Sequence, residues 1–275
     1  MLRGFYTAAS GMVANQRMQE TLSNNMSNAY TPGYKADQGT MRAFPELLIE
    51  QMGAKEIPTT TGGINLPVRQ EVGSLNTGVY VQETVPSFSQ GDIRETGITT
   101  DMALIQGDVP DEKGMVFFNV QNEEGELSHT RNGNFTVDNE GFLTTNQGNY
   151  VLDDAGNPIN TDGLEFDVSG EGVLTIGDQQ IPLGLSYAAN AEDMVKEGND
   201  VYQPGEEAAA LVNARANPEV AFDVRQSVLE GSNVDPARTM TEMMNTYRSF
   251  EMNQRVLKAY DQNMQKAVTE IGRLR

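Results

Sequence analysis

The sequence predicts an α+β protein: helices at the two chain ends, forming one discontinuous domain, and a mainly antiparallel β body between them. Three observations predict it. Apolar residues recur at helical spacing at both ends, short β-prone runs separated by glycine turns fill the middle, and charge divides along the same lines. The formal net charge is −20, yet residues 1–55 and 226–275 each carry a net +1, while residues 56–225 hold seven basic and 29 acidic groups. Near-neutral ends suit packing against other chains without repulsion, and an acidic body suits solvent. A chain of 275 residues has room for one large domain or two small ones.

The N-terminal segment places Leu2, Phe5, Ala9 and Met12 at i, i+3, i+7 and i+10. That seam turns polar at Gln16 and Gln19, and a neighbouring stripe of Met18, Leu22 and Met26 takes over. The helix is expected to end in the Asn/Ser cluster around Asn24, Asn25 and Asn28. Thr31-Pro32-Gly33-Tyr34 then reads as a type II turn, with Gly33 taking the positive φ.

Residues 36–75 read as a connecting segment in which Met41–Met52 suits a short helix and the Thr59–Gly63 stretch marks a boundary. Residues 76–232 read as the β-rich part. Turns recur at Asn122–Gly125, Asp138–Gly141 and Asp153–Gly156, between runs such as Met115–Val120, Asn134–Val137 and Tyr150–Leu152. This is the spacing of successive hairpins, too short-lived for a solenoid. Residues 188–232 give no clear pattern.

The C-terminal segment carries the strongest pattern in the chain. Met243, Phe250, Leu257, Met264 and Ile271 recur every seven residues as d-type positions; Met240, Tyr247, Gln254, Asp261 and Val268 are the matching a-type set. Asp235-Pro236 supplies an N-cap and a first-turn proline. One apolar seam interrupted at Gln254 and Asp261 implies coiled-coil-like packing, specific in register and weak alone. The alternative is an amphipathic helix lying on its own domain; the narrow seam and the matching stripe at the other terminus argue against it.

Chemistry is sparse. With no Cys there is no disulfide, thiolate nucleophile or Cys zinc site, and with His129 as the single His a His-based metal site or triad lacks its parts. An EF-hand loop needs a carboxylate five residues before its glycine; the residues there are Val120, Thr136 and Val151. No P-loop or dinucleotide fingerprint occurs, and no basic patch exists to neutralise phosphates. The expectation is therefore a protein without catalytic residues, metal or cofactor, and without a nucleic acid or small-molecule partner. No run approaches the roughly 18 apolar residues of a membrane span, and Met1–Tyr6 lacks the apolar core of a signal peptide. Export, if it occurs, is expected without a cleaved leader.

The motifs resemble a known family. Ser10-Gly11-Met12, Leu22-Ser23-Asn24-Asn25-Met26-Ser27-Asn28 and Thr31-Pro32-Gly33-Tyr34-Lys35 are similar to the opening signature of the flagellar basal-body rod and hook proteins. Glu230–Asp235, Met240–Met243 and Tyr247–Asn253 look like that family's closing motif. Gln90-Gly91, Thr96-Gly97, Asp101–Ala103, Thr130–Phe135, Gly156–Ile159 and Val195–Asn199 fall in family order between them. There are two departures: Val109–Met115 is inserted before Phe117-Phe118, and His129 replaces the usual Tyr. The Met41–Glu46 stretch and the insertion look most like the hook-basal body complex rod proteins of Gram-positive, Bacillus-type flagella.

The resemblance implies a structural rod subunit of the basal body. Terminal helices, 1–35 with 233–275, would pair as a coiled coil in an inner assembly domain, and residues 76–232 would form an outer domain. It implies interface residues Leu2, Phe5, Ala9, Met12, Leu22, Met243, Tyr247, Phe250, Leu257, Met264 and Ile271. The turn motif implied is Asn24, Asn25, Asn28, Thr31, Pro32, Gly33 and Tyr34. Partners implied are other copies of the chain, neighbouring rod and hook subunits, and the flagellar export apparatus. A secreted wall hydrolase or a β-rich binding module are the readings to set against it.

Overall fold

The computed structural model describes residues 2–57, 64–122, 124–198, 200–206 and 208–271, with the backbone alone described at 2, 49–57, 64–71 and 271. The chain forms two compact units. The first comprises Met1–Ser23, Gly39–Thr84 and Met240–Arg275; the second comprises Asn24–Gln38 and Val85–Thr239.

Most of helix α1 (Leu2–Ser27) and of helix α2 (Pro236–Lys266) supplies the helical part of the first unit, the last turn of α1 and the first turn of α2 falling in the second. Asp235 caps α2, its Oδ1 accepting from the N–H of Ala237 at 2.9 Å and of Arg238 at 3.1 Å, just before Pro236 as the first helical residue. Along α1, Gly4, Ala8, Gly11, Asn15, Met18 and Leu22 alternate at intervals of four and three, and all are buried or half-buried. Small residues let a second helix approach. A Cβ on Gly4 would meet the Tyr260 hydroxyl at 2.1 Å, and one on Gly11 the Asn253 amide at 2.9 Å. Since 4 and 11 meet 260 and 253, the helices run antiparallel where they meet.

This contact corrects the a-type assignment. The half-buried residues of α2 include Met243, Thr246, Phe250, Asn253, Leu257, Tyr260 and Met264, followed by Ala267 in the π-helical turn beyond it, whereas Met240, Tyr247, Gln254, Asp261 and, past the helix end, Val268 are exposed. The d positions Met243, Phe250, Leu257 and Met264 are half-buried, but the half-buried row beside them lies one residue earlier than the a positions. Positions three and four away are equally near on a helix. Apolarity favours Met240 and Tyr247; fit against glycine on α1 favours Asn253 and Tyr260, and fit decides.

The expected helix at Met41–Met52 is instead strand. Strand β1 (Asp37–Ala43) pairs with β4 (Val79–Pro86), and between them β2 (Leu47–Ile57) and β3 (Ile64–Leu75) make an antiparallel ribbon with a register shift between Ile49 and Glu50. Extended pairing lets the two strands satisfy the backbone groups of their shared edge without needing a buried helical face. The Thr59–Gly63 boundary lies outside the described residues.

The second unit is mainly antiparallel sheet. Its strands are β5 (Ile93–Glu95), β6 (Met102–Gln106), β7 (Met115–Gln121), β8 (Leu127–Thr130), β9 (Phe135–Val137), β10 (Leu143–Thr145) and β11 (Tyr150–Val151). There follow β12 (Asp167–Val168), β13 (Val173–Ile176), β14 (Gln179–Pro182), β15 (Leu185–Ala188), β16 (Met194–Lys196), β17 (Val201–Pro204), β18 (Val212–Asn213), β19 (Phe222–Gln226) and β20 (Val228–Glu230). The main sheet runs β16-β17-β8-β7-β11-β10-β9, with β15 also on β7 and β18 on β15; β12-β13-β14, β19-β6 and β20-β5 are separate. Strand β7 explains its own continuous apolar run. Val116, Phe118 and Val120 enter the main core with Leu104, Phe135 and Leu174, while Met115 and Phe117 enter a second core with Met194 and Tyr202. A strand buried on both faces has no polar alternation.

The three glycine turns share one design. Gly125, Gly141 and Gly156 return their N–H to the carbonyls of Asn122, Asp138 and Asp153. Each of those side chains accepts through Oδ1 from the N–H groups two and four residues on. The Asx oxygens are thus engaged by backbone, as hairpin turns require.

Candidate functional site

Motifs far apart in the chain, Thr31–Lys35, Gln90-Gly91, Thr130–Phe135 and Glu230–Asp235, converge in the second unit. Gly33 has φ of 71° and its N–H donates to the Glu230 carbonyl at 2.8 Å, while Tyr34 N–H closes the turn on Thr31 O at 3.3 Å. A Cβ on Gly33 would lie 2.5 Å from the Asn132 nitrogen and 2.6 Å from the Arg131 carbonyl carbon. Glycine is required twice there, by the left-handed backbone and by the close approach.

The turn delivers Lys35 to a buried ion cluster. Lys35 Nζ lies 2.8 Å from Glu230 Oε1, and Arg131 places Nη2 at 2.6 Å and Nε at 3.0 Å from Glu230 Oε2. All three side chains are at most 1% exposed. Further bonds hold the cluster: Lys35 donates to Ser89 O, Arg131 to the Val116 and Leu104 carbonyls, and Gly91 N–H donates to Glu230 Oε1. Burial pushes the Glu230 carboxyl up, but Arg131 and then Lys35 pull it further down, so it is held below the usual range. Burial lowers the Lys35 ammonium to about 8; Glu230 opposes this and Arg131 adds to it. Two cations share one anion, so the cluster carries an excess positive charge.

Asparagines tie the surrounding loops. Asn25 accepts from Asp37 N–H at 2.9 Å and from the Tyr34 hydroxyl at 3.1 Å, and donates to Asp37 O at 2.8 Å. Asn28 accepts from Thr31 Oγ1 and donates to Asn24. Asn233 accepts from Ala36 N–H at 2.7 Å and donates to Ser87 O at 2.6 Å. The Lys196 ammonium sits 3.7 Å from the Tyr34 ring centroid and 3.7 Å from Asp37 Oδ2. Of the turn motif, Asn25, Gly33 and Tyr34 are buried, Asn28, Thr31 and Pro32 half-buried, and Asn24 exposed. Lys35, Arg131 and Glu230 are the cluster's centre, Asn233 ties the loops beside it, and none of the four is among the site residues expected from sequence. Their signal was present: each is a polar residue inside or beside a glycine-containing motif.

The departures from the family pattern are accommodated locally. His129 is buried in β8 with Nδ1 at 3.0 Å from Asn119 Oδ1, and burial pushes its pKa down to about 4. The inserted loop anchors through Asp111, which accepts from the Tyr187 hydroxyl at 3.1 Å.

The expected interface residues lie in the first unit. Met243, Phe250, Leu257 and Met264 share the half-buried row of α2; Tyr247 is exposed; Leu22 is buried on α1. Phe5, Ala9 and Met12 are half-buried on an adjacent face of α1. The side chains of Leu2 and Ile271 lie outside the described residues.

Three family models match the chain: "Flagella basal body rod protein" over residues 5–35, "Flagellar hook protein FlgE/F/G D1 domain" over 113–176, and "Flagellar basal body rod FlgEFG protein C-terminal" over 225–270. The flagellar hook-basal body complex protein FlhO of Bacillus subtilis is 41% identical over the full length of both chains. The chain belongs to the flagellar basal-body rod protein family. Its rod-protein relatives include FlgG of Borreliella burgdorferi, 28% identical over 95% of this chain and 96% of that one. FlgG of Bacillus subtilis is 29% identical over 98% of each. This rod protein is accordingly a structural subunit of the flagellar basal body and not an enzyme. The hydrolase and binding-module readings are not supported. No helix among the described residues is long and apolar enough to cross a membrane.

Proposed function

We propose that this rod subunit assembles through its terminal helices, which pair in coiled-coil fashion and join neighbouring copies and other rod subunits into a helical tube, with the β-rich part facing outward. The observation that carries this reading is the surplus of apolar surface on α2. Besides its half-buried row, it exposes Met240, Met244 and Tyr247 on one face, where Met244 and Tyr247 border Gln19 and Ser23 of α1, and Met252 and Val256 on another. A single partner helix leaves these side chains largely in water, and exposed apolar surface of this extent marks an interaction site. Contacts through Leu2, Phe5, Ala9, Met12, Leu22, Met243, Tyr247, Phe250, Leu257, Met264 and Ile271 build the interface. A contact that repeats without closing builds a filament.

The same helices keep the subunit monomeric before export. Alone they bury little, so their ordering is coupled to docking, and the export apparatus receives a chain whose ends are not locked in structure. Limited proteolysis of the purified monomer tests this coupling. Cleavage within residues 1–30 and 240–275 ahead of the β-rich part is expected; equal resistance throughout overturns it.

A further inference from the structure

The first unit contains an apolar groove of about 610 Å³ between α1 and the β1–β4 pair, lined by Tyr6, Ala9 and Val13 on one side and Phe44, Val79 and Tyr80 on the other. Tyr6 is 62% and Val13 49% exposed. Polar groups in its wall are used inside the unit: Thr7 Oγ1 donates to Thr77 O at 3.3 Å and Val79 N–H to Ser10 Oγ at 3.4 Å. Arg3 and Arg17 also line the groove, and on one helix they stand about 21 Å apart at 1.5 Å per residue. The groove is thus apolar along its length and basic towards both ends.

Its complement lies on α2. Met240, Met244, Tyr247 and Glu251 fall at i, i+4, i+7 and i+11, one face of the helix spanning about 17 Å. Met240 is 60% exposed, Met244 and Tyr247 52% each. Glu251 has an exposed contact to Arg255 at 3.8 Å, weak enough to exchange. Three apolar side chains followed by a carboxylate fit a groove that is apolar and then cationic.

We propose that this groove receives the Met240–Met244–Tyr247 face of α2 from a second copy of the chain, with Glu251 beside Arg3 or Arg17. The proposal rests on the assembly reading above and specifies its surfaces. Groove and helix face are different surfaces, so the contact is head-to-tail and does not close on itself.

The chain has no cysteine, which gives a clean background for crosslinking. A full-length Val13→Cys/Met244→Cys variant, expressed in a strain lacking the native gene, is oxidised in isolated basal bodies. The expected result is a ladder of disulfide-linked multimers that either single-cysteine variant fails to give. Dimers from one single variant indicate a two-fold contact and overturn the proposal. So does an oxidised monomer, or an absence of crosslinks while the reduced variant supports motility and is present in basal bodies; the rod role then stands and the groove assignment falls. Intact basal bodies lacking the wild-type chain overturn the rod role itself. A second readout is charge exchange: Glu251→Arg is expected to reduce incorporation at least tenfold, with recovery on adding Arg3→Glu or Arg17→Glu. Recovery with neither overturns the pairing.

Discussion

Glu230 and Lys35 stand 195 residues apart in the chain and 2.8 Å apart in the fold. Their carboxylate and ammonium, with Arg131, join the segment after α1, the middle of the β body and the segment before α2. The consequences follow from charge balance.

Replacing Glu230 by Gln leaves two cations buried without an anion. Breaking a buried pair costs about 3–5 kcal/mol. Replacing Lys35 by Met leaves Arg131 and Glu230 still paired, and removes the excess charge, so the expected loss is smaller, about 1.5–3 kcal/mol, the range of lost charge-assisted hydrogen bonds. Denaturant unfolding of both variants checks the order; a Lys35→Met loss equal to that of Glu230→Gln contradicts it.

Gly33→Ala adds a methyl where φ is 71° and where the Asn132 nitrogen lies 2.5 Å away. Strain alone costs about 1 kcal/mol, and a backbone clash that no rotamer relieves adds to it. The variant is expected to lose about 2 kcal/mol or more by thermal or denaturant unfolding. Amides of residues 130–132 and 230–233 are expected to lose hydrogen-exchange protection first.

His129 makes the protein sensitive to mild acid. Its folded pKa, about 4, is below the ordinary 6.5. Between these values the unfolded chain binds the proton and the folded one does not. The contribution is therefore full above pH 6.5 and is lost as pH falls towards 4, by about 3 kcal/mol in all. Glu230, also depressed, adds to the loss at still lower pH, while the raised Asp200 pulls the opposite way between its ordinary and folded values. As the single His, its ring proton resonances report the titration directly, and His129→Gln is expected to flatten the stability slope between pH 6.5 and 4.

Phe250→Asp or Leu257→Asp places a carboxylate in the half-buried row of α2. Incorporation into basal bodies, and motility with it, is expected to fall to background, while the unfolding midpoint of the β-rich unit moves little. Gln254→Asp, exposed one row away, is expected to incorporate at near wild-type level. Normal motility with either Phe250→Asp or Leu257→Asp counts against the seam.

Much of this was legible from local sequence. Asp235-Pro236 starts a helix, Pro32-Gly33 turns the chain, and Asx-to-glycine spacings close hairpins, because each depends on backbone geometry within a few residues. The seven-residue row Met243, Phe250, Leu257 and Met264 was legible for the same reason. The β1–β3 region was not, since an apolar run with weak alternation suits helix and strand alike and only the pairing partner distinguishes them.

By itself, the sequence determined the class, the family, the turns, and the division between near-neutral ends and an acidic body. These are properties of residue order and composition. Tertiary structure alone decided which row completes the α2 seam, because the choice depends on Gly4 and Gly11 of another helix. It alone decided, too, that Lys35, Arg131 and Glu230 form one buried cluster. Charged residues so distant in the chain carry no local signal of meeting, and only close packing that excludes water makes their pairing obligatory.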